Sequence, residues 1–380
     1  MSLNWQADNT VLHFISPFIS RSLTTIVVTQ FATASTFATS ILTLLPILAP
    51  SIRDITVECL DHNHAMQAAA SQLLMRCNPD LLREYNVDSF LSTAALRHAI
   101  TLPYLESFWL VIESESQLPD PLPPAIFPSL RELVVEYMGE PTWLRLLPAI
   151  ESKCLLAISV DCSKSDVSQF MESFQHTMTG CKMHERLQEL EVTAEDDFDL
   201  TSDFIAFSFP FKNLTTLDIN HRCTSPCQID LVDEDIDLLT VAMPLLENLS
   251  IGASPCRGPS AITFKSLYNV SRRCIRLKKF QTHFDSAPFV AQFELAPELG
   301  GFEPGSFDPK IPLCSVKEIN VGKLEMPSQP DASYIIGLGL MRVFPMLETL
   351  LYESHRWKNV AQLIRIFRHV KLESVVAETQ

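Results

Sequence analysis

One hexamer, L-x-x-L-x-L with apolar substitutions, recurs along the chain and constrains its fold more than any other feature. It reads Leu23-T-T-Ile26-V-Val28, Ile52-R-D-Ile55-T-Val57, Leu82-R-E-Tyr85-N-Val87, Leu105-E-S-Phe108-W-Leu110 and Leu130-R-E-Leu133-V-Val135. Leu155-L-A-Ile158-S-Val160, Leu187-Q-E-Leu190-E-Val192, Leu214-T-T-Leu217-D-Ile219 and Leu246-E-N-Leu249-S-Ile251 follow. Leu277-K-K-Phe280-Q-Thr282, Val316-K-E-Ile319-N-Val321, Leu347-E-T-Leu350-L-Tyr352 and Leu372-E-S-Val375-V-Ala377 complete 13 units. A single hexamer says little, because apolar alternation suits any strand. Thirteen at intervals of 23 to 39 residues describe a repeat. No unit is thick enough to bury its own apolar face, so neighbouring units must stack.

The stretches between hexamers carry helical spacing. Thr36 to Leu48 places Phe37, Ile41, Leu44, Leu45 and Leu48 on one stripe. A second helix is expected from Asp88, with Leu91, Ala95, Leu96 and Ala99 inward. Asp233-Glu-Asp-Ile opens a third, its acids suited to a helix N-terminus. Thr263 to Cys274 and Trp357 to Phe367 supply two more. The strand–helix unit and its spacing predict an α/β fold: a right-handed leucine-rich-repeat solenoid, or horseshoe. Parallel strands would line its concave face and helices its convex face. The expected organisation is an N-terminal segment or cap at 1–22 and a solenoid of about 13 irregular units at 23–380. Long loops interrupt it at 113–127 and 284–312.

Composition narrows the function. Lys and Arg number 29 against 45 Asp and Glu, a net charge of −16, which argues against nucleic acid as a partner. Ten scattered cysteines fit reduced thiols and a cytoplasmic or nuclear setting rather than a disulfide scaffold. No charged n-region followed by an apolar stretch opens the chain, so no signal peptide is expected. Ser22 to Ile52 holds no charge, but its Ser and Thr residues, Gln30, Pro46 and Pro50 fit a strand and a buried helix better than a membrane span. G-x-S-x-G, G-x-x-x-x-G-K-[ST], G-x-G-x-x-G and H-E-x-x-H do not occur, so no catalytic activity and no cofactor are expected. His221, Cys223, Cys227 and Cys256 lack the second ligand pair of a closed zinc site, so no metal is expected. His62-Asn-His64 reads as a solvated loop.

Charge sorts by position in the hexamer. Strand alternation turns positions 3, 5 and 7 away from the core. Acids occupy those positions at Asp54, Glu58, Glu84, Asp88, Glu132, Glu136, Asp161, Glu189, Glu191 and Asp218, and further on at Glu318, Glu353 and Glu378. Lys279 is the single Lys or Arg there. Position 2 mixes Arg53, Arg83, Arg131, Lys278 and Lys317 with Glu106, Glu247, Glu348 and Glu373. The acidic set is a candidate surface for a protein partner with a basic segment. The second long loop carries Phe289, Phe293, Phe302 and Phe307, expected either to contact a partner or to pack back on the solenoid.

The stretch Leu231 to Ala287 reads L-V-D-E-D-I-D-L-L-T-V-A-M-P-L-L-E-N-L-S-I and later A-I-T-F-K-S-L-Y-N-V-S-R-R-C-I-R-L-K-K-F-Q-T-H-F-D-S-A. With Phe127-Pro-Ser-Leu-Arg-Glu-Leu and Phe344-Pro-Met-Leu-Glu-Thr-Leu, it resembles the leucine-rich-repeat region of fungal F-box proteins. The resemblance implies the substrate-recognition repeats of a cullin–RING ubiquitin-ligase receptor. In such receptors an F-box docks the ligase adaptor and the repeats hold the target. No segment opening L-P-x-E-(L/I) precedes Leu23. The adaptor is therefore an expected partner only with an F-box upstream of the repeats.

Overall fold

The structure is a computed structural model. It describes residues 2–6, 19–31, 36–59, 64–112, 118–123, 126–137, 141–150, 153–162, 167–181, 185–194, 200–221, 229–252, 260–295, 314–321, 326–352 and 354–378. The fold is mixed α/β with parallel strands, and the chain divides into two compact units, Met1–Leu187 and Gln188–Gln380.

Unit 1 holds β1 (Ser2–Gln6), β2 (Thr25–Phe31), α1 (Thr36–Leu48), β3 (Asp54–Cys59), α2 (His64–Arg76), β4 (Glu84–Phe90), α3 (Thr93–Ala99), β5 (Ser107–Ile112), β6 (Glu132–Tyr137), β7 (Ala157–Cys162) and α4 (Val167–Gly180). A 3₁₀ helix, Pro141–Ala149, lies between β6 and β7. The seven strands pair in chain order, and each pairing aligns equal hexamer positions: Ile26↔Ile55↔Tyr85↔Phe108↔Leu133↔Ile158. First-position residues Leu23, Ile52, Leu82, Leu105, Leu130 and Leu155 are each 1% exposed or less. Positions 4 and 6 are buried on the helix side, where Tyr85 donates its hydroxyl to the Ala70 carbonyl of α2 at 2.7 Å. One step before each strand the backbone repeats a fixed bond. Arg53, Arg83, Glu106, Arg131 and Leu156 each donate their N–H to the position-2 carbonyl of the preceding repeat, at 2.6 to 2.8 Å.

Unit 2 holds β8 (Glu189–Ala194), β9 (Leu200–Thr201), α5 (Ser202–Ala206), β10 (Thr216–His221), β11 (Ile229–Val232), α6 (Asp233–Ala242), β12 (Asn248–Ile251), β13 (Ser260–Ala261) and α7 (Phe264–Arg273). It continues with β14 (Lys279–Thr282), α8 (Ala287–Leu295), β15 (Glu318–Asn320), α9 (Ala332–Val343), β16 (Thr349–Leu351) and α10 (Trp357–Glu378). Its main sheet runs β8-β10-β12-β14-β15-β16 in the same register, Leu190↔Leu217↔Leu249↔Phe280↔Ile319↔Leu350. Short strands β9, β11 and β13 form a second parallel sheet, and each leads into a helix. The Asp233-Glu-Asp-Ile-Asp run at the start of α6 is spent on stitching helices together. Asp233 accepts from the Thr263 N–H and hydroxyl at 2.7 Å each, and from Ser266. Asp235 accepts from Ser202 at 2.8 Å, and Asp237 meets Asn269 at 2.7 Å and Arg273 at 3.1 Å.

Several expectations are corrected. Leu372-E-S-Val375-V-Ala377 is helical, because α10 runs unbroken from Trp357 with no Gly or Pro to stop it. A strand at Ser2–Gln6, inside the expected N-terminal segment, joins β2 with Leu3 beside Ile26 and Trp5 beside Val28. Asp88 belongs to β4, and the next helix starts after Ser92, whose hydroxyl caps the Ala95 N–H. His64 begins α2 instead of lying in a loop. The stretch 284–312 is not loop throughout, since α8 occupies Ala287–Leu295. In the other long loop Leu118, Ile126 and Phe127 are buried, with Phe127 held at φ 51° and packed 5.4 Å from Phe108. Among the described residues no helix is long and apolar enough to cross a membrane.

Candidate acidic sheet face

Positions 3, 5 and 7 lie on the strand face turned away from the helices. In unit 1 the position-3 row reads Thr25, Asp54, Glu84, Ser107, Glu132, Ala157 across the ladder. Asp54 and Glu84 are direct cross-strand neighbours, so their side chains start about 5 Å apart. Thr25 steadies Asp54 with a 2.7 Å hydroxyl bond, and Ser107 does the same for Glu132 at 2.9 Å. The Glu84 carboxyl is pushed up by partial burial and then by the negative charges of Asp54, Glu132 and Glu106. The row repels itself.

Glu58 and Asp88 follow the last paired residues of the β3–β4 ladder, Val57 and Val87, at its far end. Glu136 and Asp161 are direct neighbours on β6 and β7. Of the predicted residues in unit 1, Glu58, Glu84 and Glu132 are exposed, while Asp54, Asp88, Glu136 and Asp161 are half-buried. The central row, position 5, is Val27, Thr56, Asn86, Trp109, Val134 and Ser159. Trp109 was not singled out from the sequence. Its signal was its position, since it is the only Phe, Tyr or Trp at positions 3, 5 and 7 of the 13 units.

The basic residues of position 2 are engaged one step away. Arg83 and Arg131 both turn to Glu106, at 3.8 and 3.3 Å. In unit 2 Lys278 pairs with Glu247 and Lys317 with Glu348 at 4.0 Å, so this row largely neutralises itself.

Unit 2 carries Glu189, Glu191 and Asp218 on β8 and β10, with Glu191 directly beside Asp218. Burial pushes the Asp218 carboxyl up to about 6; Ser250 opposes the shift, Glu191 adds to it, and Asn220 opposes it. Beyond β10 the acidity ends. Asn248, Ser250 and Gln281 are neutral, and Lys279 pairs with Glu318 at 3.6 Å. Glu353 lies outside the described residues, and Glu378 ends α10.

The phenylalanine loop divides. Phe289 is 3% exposed, stacked on Phe264 at 4.0 Å and 15°, and is therefore core rather than a partner contact. Phe284 packs edge-on against Phe264 at 5.4 Å and Trp357 at 6.2 Å. Phe293 is in α8, while Phe302 and Phe307 lie outside the described residues, as do Cys223, Cys227 and Cys256. Among the described residues no group of three or more His, Cys, Asp or Glu side chains could hold a metal ion. Compared with known proteins, the chain matches no family model and no curated protein.

Proposed function

We propose that the chain is a non-catalytic protein-interaction scaffold of leucine-rich-repeat type, without cofactor, whose acidic sheet face in unit 1 receives a basic segment of a partner protein. The carrying observation is the registered row Asp54–Glu84–Ser107–Glu132, in which the Glu84 carboxyl is pushed up by partial burial and then by the charges of Asp54 and Glu132. A cation placed there relieves that repulsion and gains Coulomb energy at once. The neighbouring Arg83 and Arg131 are occupied with Glu106, so they do not supply it. The likeness to fungal F-box repeats supports a role in presenting a substrate for ubiquitin ligation, in the cytoplasm or nucleus; a ligase adaptor enters through an F-box outside the repeats.

Affinity purification from the native host tests both levels. The triple variant Glu84→Lys, Glu132→Lys and Glu136→Lys should lose the basic partner by at least about tenfold in affinity. A partner retained unchanged would overturn the acidic-face reading. Co-purification of cullin and adaptor subunits supports the ligase role; a stable partner without them makes the protein a stand-alone scaffold.

A further inference from the structure

Trp109 stands at the centre of that face. In register it lies between Asn86 and Val134. Along its own strand it is flanked by Ser107, which sits between Glu84 and Glu132, and by Val111, which pairs with Glu136. Ser107 pins the surroundings, donating to Glu132 at 2.9 Å and contacting Asn86 at 3.2 Å. Beside Trp109 the β4–β5 ladder breaks: after Asn86↔Trp109 the next pair is Phe90↔Val111, so β4 bulges and carries Asp88 on the bulge. Bulges of this kind re-aim side chains and concentrate at functional sites. The indole N–H is shielded and has no acceptor, although the ring itself is only half-buried. Trp109 is thus a large, partly exposed aromatic on a strand face whose flanking positions carry carboxylates. With the ring nitrogen shielded, the exposed part of the side chain is ring carbon.

Resting on the acidic-face reading, we propose that Trp109 is the specificity-determining anchor of that face and selects arginine in the partner. A guanidinium stacked on the indole meets the negative ring face, while its N–H groups point outward in the ring plane, where Glu84, Glu132 and Glu136 frame it. Arginine suits this arrangement better than lysine because its planar, weakly hydrated cation stacks and donates sideways together. The occupant is an extended, arginine-bearing segment of a partner protein.

The test uses labelled octa-arginine and octa-lysine peptides as probes in fluorescence anisotropy with the full chain at low salt. The wild type should prefer the arginine peptide by about three- to thirtyfold. Trp109→Leu should bind both peptides with equal, weakened affinity. Trp109→Phe, which keeps a ring of weaker quadrupole, should retain an intermediate preference and covers the case in which the leucine variant folds poorly. An arginine preference unchanged in both variants, or none in the wild type, overturns the role of Trp109 while leaving the acidic face standing. Failure of the wild type to bind either peptide overturns the acidic face and this inference together.

Discussion

Asp218 carries two opposed demands at a single strand position. Its alternation turns it off the core, yet burial still pushes its carboxyl up to about 6. A carboxyl whose folded value exceeds its unfolded one holds its proton more tightly when folded. Its contribution is therefore most favourable below the ordinary value of 3.8 and is lost as pH rises to about 6. Asp218→Asn should raise stability at neutral pH by about 1 kcal/mol, discounted for partial exposure. It should also flatten the part of the pH profile between 3.8 and about 6, read from urea midpoints. Midpoints with the wild-type pH dependence would refute this. The acid itself was legible, since it occupies position 5 of its hexamer. Its raised value was not, because it depends first on burial in the folded sheet and then on the charge of Glu191, one strand away in space and 27 residues away in sequence.

At the scale of elements, local pattern succeeds where one period dominates and fails where two fit. Helix α1 occupies the span its apolar stripe marks, and α7 begins after the Thr263 cap and ends at Arg273, with Cys274 as its C-cap. Leu372 and Val375 satisfy a strand hexamer and also an i, i+3 helical pair, and the helix already running from Trp357 decides between them. Strand β1 escaped notice because it lacks the first-position leucine that marks the other strands. Helix α8 shows what tertiary packing adds. A Cβ at Gly339 on α9 would lie 2.5 Å from Phe289 and 2.9 Å from Phe264, so only glycine admits the stacked pair. Gly339→Ala should destabilise unit 2 by about 1–3 kcal/mol by forcing the rings apart. Gly337→Ala is the control, because its Cβ meets nothing closer than Leu363 at 3.5 Å. Equal melting temperatures for the two variants would show that the stack yields freely.

For the whole molecule, the charge of −16 is not spread evenly. Acids crowd the strand face of β3, β4, β6 and β7 in unit 1 and of β8 and β10 in unit 2, while position 2 neutralises itself and the α6 acids serve helix contacts. Binding of a basic segment to such a face should weaken by about tenfold or more between roughly 50 and 300 mM salt, because screening shortens the reach of exposed charges. Affinity that ignores salt would point to apolar contacts instead. The sequence by itself determined the repeat, the parallel α/β build, the buried first, fourth and sixth positions of the strand hexamers and the acids at strand positions from Asp54 to Asp218, but not Glu378, which is on α10. All of these follow from local alternation and spacing. Tertiary structure alone decided which acids become neighbours, that Trp109 sits among them, that Phe289 turns inward, and that the last hexamer is helix. Each of those outcomes depends on register, or on packing between residues far apart in the chain, and one-dimensional periodicity does not encode either.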